Sequence, residues 1–255
     1  MLDLARKMKA WIGTCRTLGQ THWASFPLFG DEAWKREHIG GFVSKLARFP
    51  LPRSAGCIVD VGANIGTFSS AALAYCPQAT IWAFEPSSRA GTELNRLVGP
   101  NERLKLSQCA IGEKPGKSQL LISQNLFSSS LTDAGERGRD LLGAEAQLTG
   151  ESEEVPVTTL DQWASENKIG RIDLLKIDVE GFEPQVIAGA NNLLQQPVQR
   201  IMIEVSLARL GFEGALTLLK NIESFGFTLV YLDDVTRSSA HDGVCTQFDA
   251  WFIRR

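Results

Sequence analysis

The stretch from residue 57 to residue 69 constrains the fold of this chain more than any other segment. It reads CIVDVGANIGTFS, which is an apolar run, a turn with two glycines and the start of an amphipathic helix that continues to about residue 75. Gly62 and Gly66 permit backbone dihedral angles that a β-carbon disfavours, so a ligand can come close to the turn. The unpaired N–H groups of the helix start point to the same place. In doubly wound α/β folds, nucleotide-type ligands bind at such a turn after the first strand.

The spacing within this turn separates two kinds of ligand. A nicotinamide dinucleotide turn reads G-x-G-x-x-G, whereas this one reads D-x-G-x-N-x-G from Asp60 to Gly66. The Asp60 carboxylate would repel a pyrophosphate, but a ligand that carries a sulfonium and an ammonium group would tolerate it. The turn therefore resembles the S-adenosylmethionine turn of Rossmann-like methyltransferases and disfavours a nicotinamide oxidoreductase. A glycine-rich turn without a ligand is the alternative interpretation.

A second acidic residue lies at the expected distance from the turn. The segment ATIWAFEP, residues 79–86, is typical of a buried strand that ends in an acid and a proline. Glu85 follows Gly66 by 19 residues, close to the interval at which a carboxylate hydrogen-bonds the ribose hydroxyls of a nucleotide-type cofactor. The alternative is a solvated acid at a strand end.

Composition and charge exclude several classes of protein. A chain of 255 residues can form one large α/β domain. A formal net charge of −3 argues against nucleic-acid binding through a basic face, and no apolar run approaches the roughly 18 residues of a membrane span. The first ten residues are a poor signal peptide. The five cysteines form no C-x-x-C pair, which favours buried thiols in a reducing compartment, so we expect a cytoplasmic location.

The pattern along the chain predicts strands that alternate with helices, and hence a mostly parallel sheet with helices on both faces. Seven sheet strands are predicted over 57–61, 79–85, 103–110, 172–179, 199–205, 227–232 and 247–254. Helices are predicted over 88–98, 161–170, 183–194 and 214–225. No helical pattern joins the last two strands, so the final strand should be antiparallel. Strands over 118–123 and 154–160 should add a hairpin.

Two regions flank or interrupt this pattern. Residues 1–50 predict an N-terminal helical cap region, with helices over 1–18 and about 31–48, that packs on a Rossmann-like domain of residues 51–255; this cap could also form a wall of a binding pocket. Residues 124–153 are rich in Ser, Gly and charge. They predict either an active-site loop or a mobile surface insertion.

Charged residues follow the fourth and fifth strands. A strand buried on both faces should be apolar, yet the fourth carries Lys176 and Asp178 on one face, followed by Glu180. The fifth carries Glu204 near its end, and Asp60, Asp178 and Glu204 should meet on one rim of the sheet. The structural alternative is an ion pair of Lys176 with Glu204 or Asp178; the functional one is a site that positions and deprotonates an acceptor hydroxyl. A metal on Asp178 and Glu204 lacks a third ligand of convincing spacing, so no metal is predicted.

Together these residues resemble the FkbM-type methyltransferases over residues 57 to about 254. The marks are VDVGANIG (59–66), AFEP (83–86), SSL (129–131), VPVTTLD (155–161) and DLLKIDVEG (173–181). The resemblance implies a Rossmann-like class I methyltransferase fold, S-adenosylmethionine as donor and, in most members, methylation of a hydroxyl on a sugar or a secondary metabolite. The family often has a histidine shortly after the fifth-strand acid, whereas Glu204 is followed here by Val205 and Ser206.

These motifs supply the candidate site. The candidate cofactor-binding residues are Asp60, Gly62, Asn64, Ile65, Gly66, Glu85, Pro86, Ala110, Ser129 and Asp178. Asp60 and Asn64 should frame the amino-acid part of the donor, Glu85 should hold the ribose, and Ala110 should lie beside the adenine. The candidate catalytic residues are Asp178, Glu180, Lys176 and Glu204. Asp178 ranks first as general base, then Glu180, then Lys176 if burial lowers its pKa.

The expected function is O-methylation of a small molecule, sugar or glycan. Most of the catalysis should come from holding the acceptor oxygen in line with the donor methyl group. The alternative function is a non-catalytic module that binds the cofactor or another protein through a methyltransferase fold. The sequence predicts no nucleic-acid partner and leaves the acceptor and the oligomeric state open.

Overall fold

The computed structural model of the chain describes residues 32–49, 51–124, 129–143, 147–238, 241 and 243–255. Its strands are β1 (Cys57–Val61), β2 (Thr80–Phe84), β3 (Leu104–Ser107), β4 (Ala110–Ile111), β5 (Gly116–Ser123), β6 (Leu148–Thr158), β7 (Leu174–Ile177), β8 (Arg200–Ser206), β9 (Phe227–Arg237) and β10 (Cys245–Arg254). Its helices are α1 (Glu32–Arg48), α2 (Thr67–Tyr75), α3 (Ser88–Val98), α4 (Gly135–Leu142), α5 (Leu160–Glu166), α6 (Glu183–Ala188) and α7 (Leu207–Ser224). The helix predicted over 1–18 lies outside the described residues.

The main sheet has seven strands in the order β3-β2-β1-β7-β8-β10-β9. β1 lies in the middle and pairs in parallel with β2 and β7, and β8 continues the parallel part. β10 runs antiparallel to both β8 and β9. The predicted mostly parallel sheet with an antiparallel final strand is confirmed, and β1, β7 and β8 end at the same edge because they run in one direction.

Apolar residues that alternate along the strands build a core on each face of this sheet. On one face, Val59 and Val61 pack with Leu175 and Ile177 and with apolar residues of α5, α6 and α7. On the other face, Ile58 packs with residues of α1 and α2. Helices therefore cover both faces, as predicted.

A small second sheet carries the added hairpin. β5 and β6 pair antiparallel as predicted, and β4 joins β6 in parallel. The prediction of one third strand over 103–110 is wrong in this respect, because the chain leaves the main sheet after Ser107. Cys109 N donates to Ser107 O at 3.0 Å, and the two-residue β4 that follows belongs to the small sheet.

Several element bounds differ from the predicted ones. The helix predicted over 183–194 ends at Ala188 and continues as turns, whereas the one predicted over 214–225 begins at Leu207 and is kinked at Gly211, where φ is 70°. The segment 124–153 holds α4 and the first part of β6, which its composition did not indicate. Local polarity underestimated its order because α4 packs against α7, a contact between segments distant in sequence.

Helix α1 packs on α2 and on the antiparallel part of the sheet. Phe42 meets Phe68 edge to face with ring centroids 5.5 Å apart. Lys45 Nζ lies 2.8 Å from Asp249 Oδ2 and also pairs with Asp234. Among the described residues, no helix is long and apolar enough to cross a membrane.

Candidate active site

The turn after β1 is pressed against the turn after β7. Gly62 has φ +76°, and a β-carbon on it would lie 1.8 Å from the backbone oxygen of Asp178. Gly62 N and Ala63 N donate to Phe84 O at 3.0 Å each, which ties the turn to the end of β2. Asn64 also has a positive φ, of 51°. Glycine at position 62 is therefore required by a close approach of two backbones.

Glu85 joins this turn to helix α3. Its carboxylate accepts hydrogen bonds from Asn64 N and from Ser87 N, each at 2.8 Å. Burial raises the pKa of Glu85 to about 7, although these two hydrogen bonds act in the opposite direction. The acid predicted at this strand end is therefore held in place by backbone donors at the edge of the cavity, and its role toward ribose stays a prediction.

Asp60 lies beneath the turn, where it pairs with Lys176. It is completely buried, accepts a hydrogen bond from Ser69 Oγ at 2.6 Å and has Lys176 Nζ 3.1 Å from its Oδ1. Lys176 Nζ also donates to Gly62 O at 2.6 Å. The spacing of the turn suggested that Asp60 faces the cofactor as a free charge. In the structure it does not, because a lysine from the neighbouring strand neutralises it.

Lys176 does not meet the condition for acting as a base. Burial by itself lowers the pKa of this ammonium group. The negative charges of Asp60 and Asp178 raise it by more than burial lowers it, so the net shift is upward. The lowered pKa that would let Lys176 act as a base is therefore not found. The predicted ion pair forms with Asp178, at 3.4 Å, and its second partner is Asp60, where the sequence suggested Glu204.

Three carboxylates meet where β7 and β8 end. Asp178, Glu180 and Glu204 each offer an oxygen, and these oxygens lie within 4.8 Å of one another. Arg209 Nη2 lies 3.1 Å from Glu180 Oε2, and Gln247 Nε2 donates to Glu204 Oε2 at 3.0 Å. Glu180 thus joins Asp178 and Glu204 as the third possible metal ligand, which the spacing in the sequence did not reveal. Its φ of 57° belongs to the left-handed region, which departs from the strand geometry that residue counting assumes.

Glu204 is the member of this carboxylate cluster that lies within a strand, near the end of β8. Burial raises its pKa well above the ordinary range, and the negative charges of Asp178 and Glu180 raise it further. Its Oε1 is inaccessible to solvent, and no donor among the described residues reaches it. The buried polar groups of a protein are normally paired, so this oxygen has a hydrogen-bonding or coordinating capacity that the described protein leaves unused.

Glu183 holds the loop that carries the cluster. Its Oε1 accepts hydrogen bonds from Val179 N and Gly181 N, both at 3.1 Å. The side chain is fully buried, and burial raises its pKa to about 7. On the outer side, Ser130 Oγ donates to Glu180 O at 2.7 Å. Sequence reasoning missed this role of Glu183, because an acid in the first turn of a helix is an ordinary capping feature.

The turn, Glu85 and the carboxylate cluster border one cavity of about 260 Å³. Of the predicted site residues, it is lined by Gly62, Asn64, Glu85, Pro86, Ala110, Ser129, Lys176, Asp178, Glu180 and Glu204. Asp60, Ile65 and Gly66 are not among the described residues that line it; Asp60 and Ile65 support the turn from within the core.

Other lining residues were not predicted individually. Helix α1 contributes His38 and Phe42, which agrees with the expectation that the N-terminal region could form a pocket wall. Ser130 and Leu131 belong to a segment that the motif SSL had marked, whereas Phe182 had no separate signal. The contribution of α1 to the cavity wall could not be assigned from the sequence, because the helical period of α1 does not show which part of the protein the helix packs against.

Residues 60–239 match the family described as "Methyltransferase FkbM domain". The chain belongs to the FkbM methyltransferase family. The match includes the glycine turn, Glu85 and all three members of the carboxylate cluster. FkbM methyltransferases use S-adenosylmethionine, so this protein is an S-adenosylmethionine-dependent methyltransferase with a Rossmann-like fold.

Two curated relatives illustrate the similarity. The 2-O-methyltransferase NoeI of Sinorhizobium fredii is 31% identical over 172 residues, which cover 63% of this chain and 67% of NoeI. The 31-O-demethyl-FK506 methyltransferase FkbM of Streptomyces tacrolimicus is 30% identical over 207 residues, 71% of this chain and 76% of FkbM. Among solved structures, the magnesium protoporphyrin IX methyltransferase ChlM of Synechocystis PCC 6803 aligns at 11% identity with a TM-score of 0.47, over 86% of this chain and 79% of ChlM.

The residues at the turn suit the cofactor of the family. The backbone from Gly62 to Asn64 borders the cavity, and the Glu85 carboxylate reaches its edge at the end of the neighbouring strand. A buried carboxylate with accepting capacity suits ribose hydroxyls, which donate hydrogen bonds. The donor set and the shape of the turn therefore fit S-adenosylmethionine.

Proposed function

We propose that this FkbM methyltransferase transfers the methyl group of S-adenosylmethionine to a hydroxyl oxygen of a small molecule, sugar or glycan. The observation that carries the proposal is the position of Asp178. Its carboxylate follows β7 directly, lines the same cavity as Glu85 and the glycine turn, and has a side chain that is 36% exposed. Open α/β sheets place their chemistry at this edge.

The chain's own residues would divide the work as follows. Asn64, Glu85 and the backbone of the glycine turn hold the donor, whose sulfonium supplies an activated methyl group. Asp178 accepts or orients the proton of the acceptor hydroxyl, because a neutral alcohol is a weak nucleophile. Lys176, fixed 3.4 Å from Asp178 Oδ2, stabilises the negative carboxylate and does not act as the base.

The relatives support oxygen as the methylated atom. NoeI is named a 2-O-methyltransferase, and the Streptomyces enzyme is named a 31-O-demethyl-FK506 methyltransferase. A cavity with several carboxylates suits an acceptor rich in hydroxyl groups, because carboxylates accept hydrogen bonds from hydroxyls. Apolar Phe42 and Phe182 line other parts of it and leave room for less polar portions of such an acceptor.

The experiment compares the wild type with Asp178→Asn and Glu166→Gln. Thermal-shift measurements with S-adenosylmethionine and with NAD first establish the donor, since a ligand that binds only the folded state raises its stability. Hydroxylated acceptors are then screened, and single-turnover methyl transfer is measured. Loss of a general base typically lowers the rate by about 10²–10⁴-fold, so Asp178→Asn should lose that much while it retains donor binding.

Glu166→Gln serves as the control because the residue is exposed, at the end of α5. Full activity of Asp178→Asn would remove the carboxylate from catalysis. Donor binding with no transfer to any hydroxyl acceptor would favour the non-catalytic binding module.

A further inference from the structure

We propose that Asp178, Glu180 and Glu204 bind a divalent cation, and that this cation holds the acceptor oxygen in the cavity. The role of the cation toward the acceptor rests on the proposed hydroxyl methylation, whereas the binding of the cation rests on the carboxylate cluster alone. The cation belongs to the hard, oxygen-preferring class of Mg²⁺ and Mn²⁺.

The spacing of the three carboxylates suits one ion. Their ligand oxygens lie within 4.8 Å of one another. Oxygens bound to one Mg²⁺, Mn²⁺ or Ca²⁺ ion lie about 2.0–2.6 Å from it, so two of them can be no more than roughly 4–5 Å apart. Asp178 and Glu180 come from the loop after β7, and Glu204 comes from the adjacent strand β8.

The buried oxygen of Glu204 is the independent observation that points to a ligand. Oε2 of this carboxylate accepts a hydrogen bond from Gln247 at 3.0 Å, whereas no donor among the described residues reaches the inaccessible Oε1. A buried carboxylate oxygen without a partner is costly. A cation in the cluster would supply the missing partner at the position where the cavity is lined by carboxylates.

The balance of charge supports the same conclusion. Lys176 and Arg209 are the cations paired with the acids here, but Lys176 is shared with Asp60. The carboxylates of Asp60 and Asp178 thus share one lysine, and Arg209 lies beside Glu180. Negative charges at this separation repel one another in a partly buried setting, and a divalent cation would relieve that repulsion.

A cation bound by these side chains would keep coordination positions open. Three carboxylates that bind through one oxygen each leave about three positions of an octahedral ion for water or substrate oxygens. These positions face the cavity that also holds the donor turn, so an acceptor hydroxyl could occupy one of them. The proposed role of Asp178 is compatible with this, because each carboxylate oxygen has two lone pairs, and Asp178 could bind the cation and still orient the acceptor hydroxyl.

The test measures Mn²⁺ binding directly on the EDTA-treated full chain, with free Mn²⁺ followed by electron paramagnetic resonance. The wild type and Glu166→Gln should each bind one Mn²⁺, and Mg²⁺ should compete for it. Changing a residue that only supports a metal ligand typically weakens binding by about 10–100-fold, so Glu204→Gln, which removes a direct ligand, should weaken binding by at least about tenfold. Failure of the wild type to bind Mn²⁺, or equal affinity in Glu204→Gln, would overturn the proposal.

Two further measurements keep the outcome interpretable. If the melting temperature shows that Glu204→Gln does not fold, Asp178→Asn provides the same comparison at a more exposed ligand. Calorimetric titration of the EDTA-treated wild type with S-adenosylmethionine separates the two proposals. Donor binding without Mn²⁺ binding overturns the cation site alone, whereas absence of donor binding counts against the proposed function.

Discussion

At the scale of single residues, the buried pair of Asp60 and Lys176 holds the centre of the site together. Both side chains are almost completely inaccessible to solvent. Removing one partner of a buried ion pair leaves an uncompensated charge and typically costs about 3–5 kcal/mol, whereas replacing both partners is often much less costly. The pair is thus a sensitive point for stability, although its net contribution can be small.

We therefore expect Lys176→Met to lower the free energy of unfolding by about 3–5 kcal/mol. The double variant Asp60→Asn with Lys176→Met should recover much of the loss, because the fully buried carboxylate of Asp60 is then replaced by a neutral amide. Urea denaturation of both variants and of the wild type measures this. Equal losses in the single and double variants would mean that the other contacts of the ammonium group, with Gly62 O and Asp178, dominate over the charge of Asp60.

Glu85 provides a second prediction at this scale. Glu85→Ala should weaken S-adenosylmethionine binding by roughly 1.5–3 kcal/mol, the magnitude of hydrogen bonds to a charged group. The variant also removes the acceptor for Asn64 N and Ser87 N, so Glu85→Gln, which retains an oxygen, should lose less. Calorimetry gives the affinities. Wild-type affinity in a folded Glu85→Ala protein would exclude Glu85 from ribose binding.

At the scale of elements, the site depends on how closely the turn after β1 and the turn after β7 approach each other. A β-carbon on Gly62 would overlap the backbone oxygen of Asp178, which belongs to the residue proposed to act on the acceptor. Neither backbone segment can move away freely, because hydrogen bonds to Phe84 and Glu183 hold the two turns. A change at either turn should therefore displace the other.

We expect Gly62→Ala to reduce both the melting temperature and S-adenosylmethionine affinity. Gly243 supplies a matched control, because its φ is also +76° but a β-carbon there would meet nothing within 4 Å. The strain of a positive φ costs about 1 kcal/mol or somewhat more in both variants. Thermal denaturation and calorimetry should show a clearly larger effect at position 62, and equal effects would remove the steric argument.

At the scale of the whole molecule, buried acids make the stability depend on pH. Burial raises the pKa values of Glu85 and Glu183 to about 7 and that of Asp249 to about 6. Between pH 4.5 and 7 the folded chain therefore binds more protons than the unfolded chain. Stability that is present below about pH 4.5 is lost as the pH rises through the folded pKa values.

The melting temperature of the unliganded, EDTA-treated protein should accordingly fall between about pH 5 and pH 8. Glu183→Gln should reduce this fall, because glutamine cannot ionise but still offers an oxygen to Val179 N and Gly181 N. The contribution of one such group is on the order of 3 kcal/mol. Scanning calorimetry at several pH values tests this with Glu166→Gln as control, and an unchanged pH dependence in Glu183→Gln would contradict it.

The sequence by itself determined the features that depend on neighbours along the chain. The seven strands of the main sheet, the glycine turn and the acid at the end of β2 were predicted, whereas α4 and the separate β4 were not. Periodicity, turn residues and short spacings record local geometry. The family motifs also marked Asp178, Glu180 and the segment at Ser129. Bounds of α6 and α7 were less well predicted, since packing decides where a helix ends.

Tertiary structure decided which of these residues meet. Lys176 lies 116 residues after Asp60 in the chain, yet they pair because β7 lies beside β1 in the sheet. The meeting of Glu204 with Asp178 through β8 beside β7 was predicted, whereas the approach of α1, which brings His38 to the cavity, was not assigned from the sequence. The spacing of residues along the chain shows which side chains share one face of a helix or strand, but it does not show which other element packs against that face. The neutralisation of Asp60 therefore followed from the pairing of β1 with β7, and the approach of Glu180 to the other two carboxylates from the left-handed backbone of its loop.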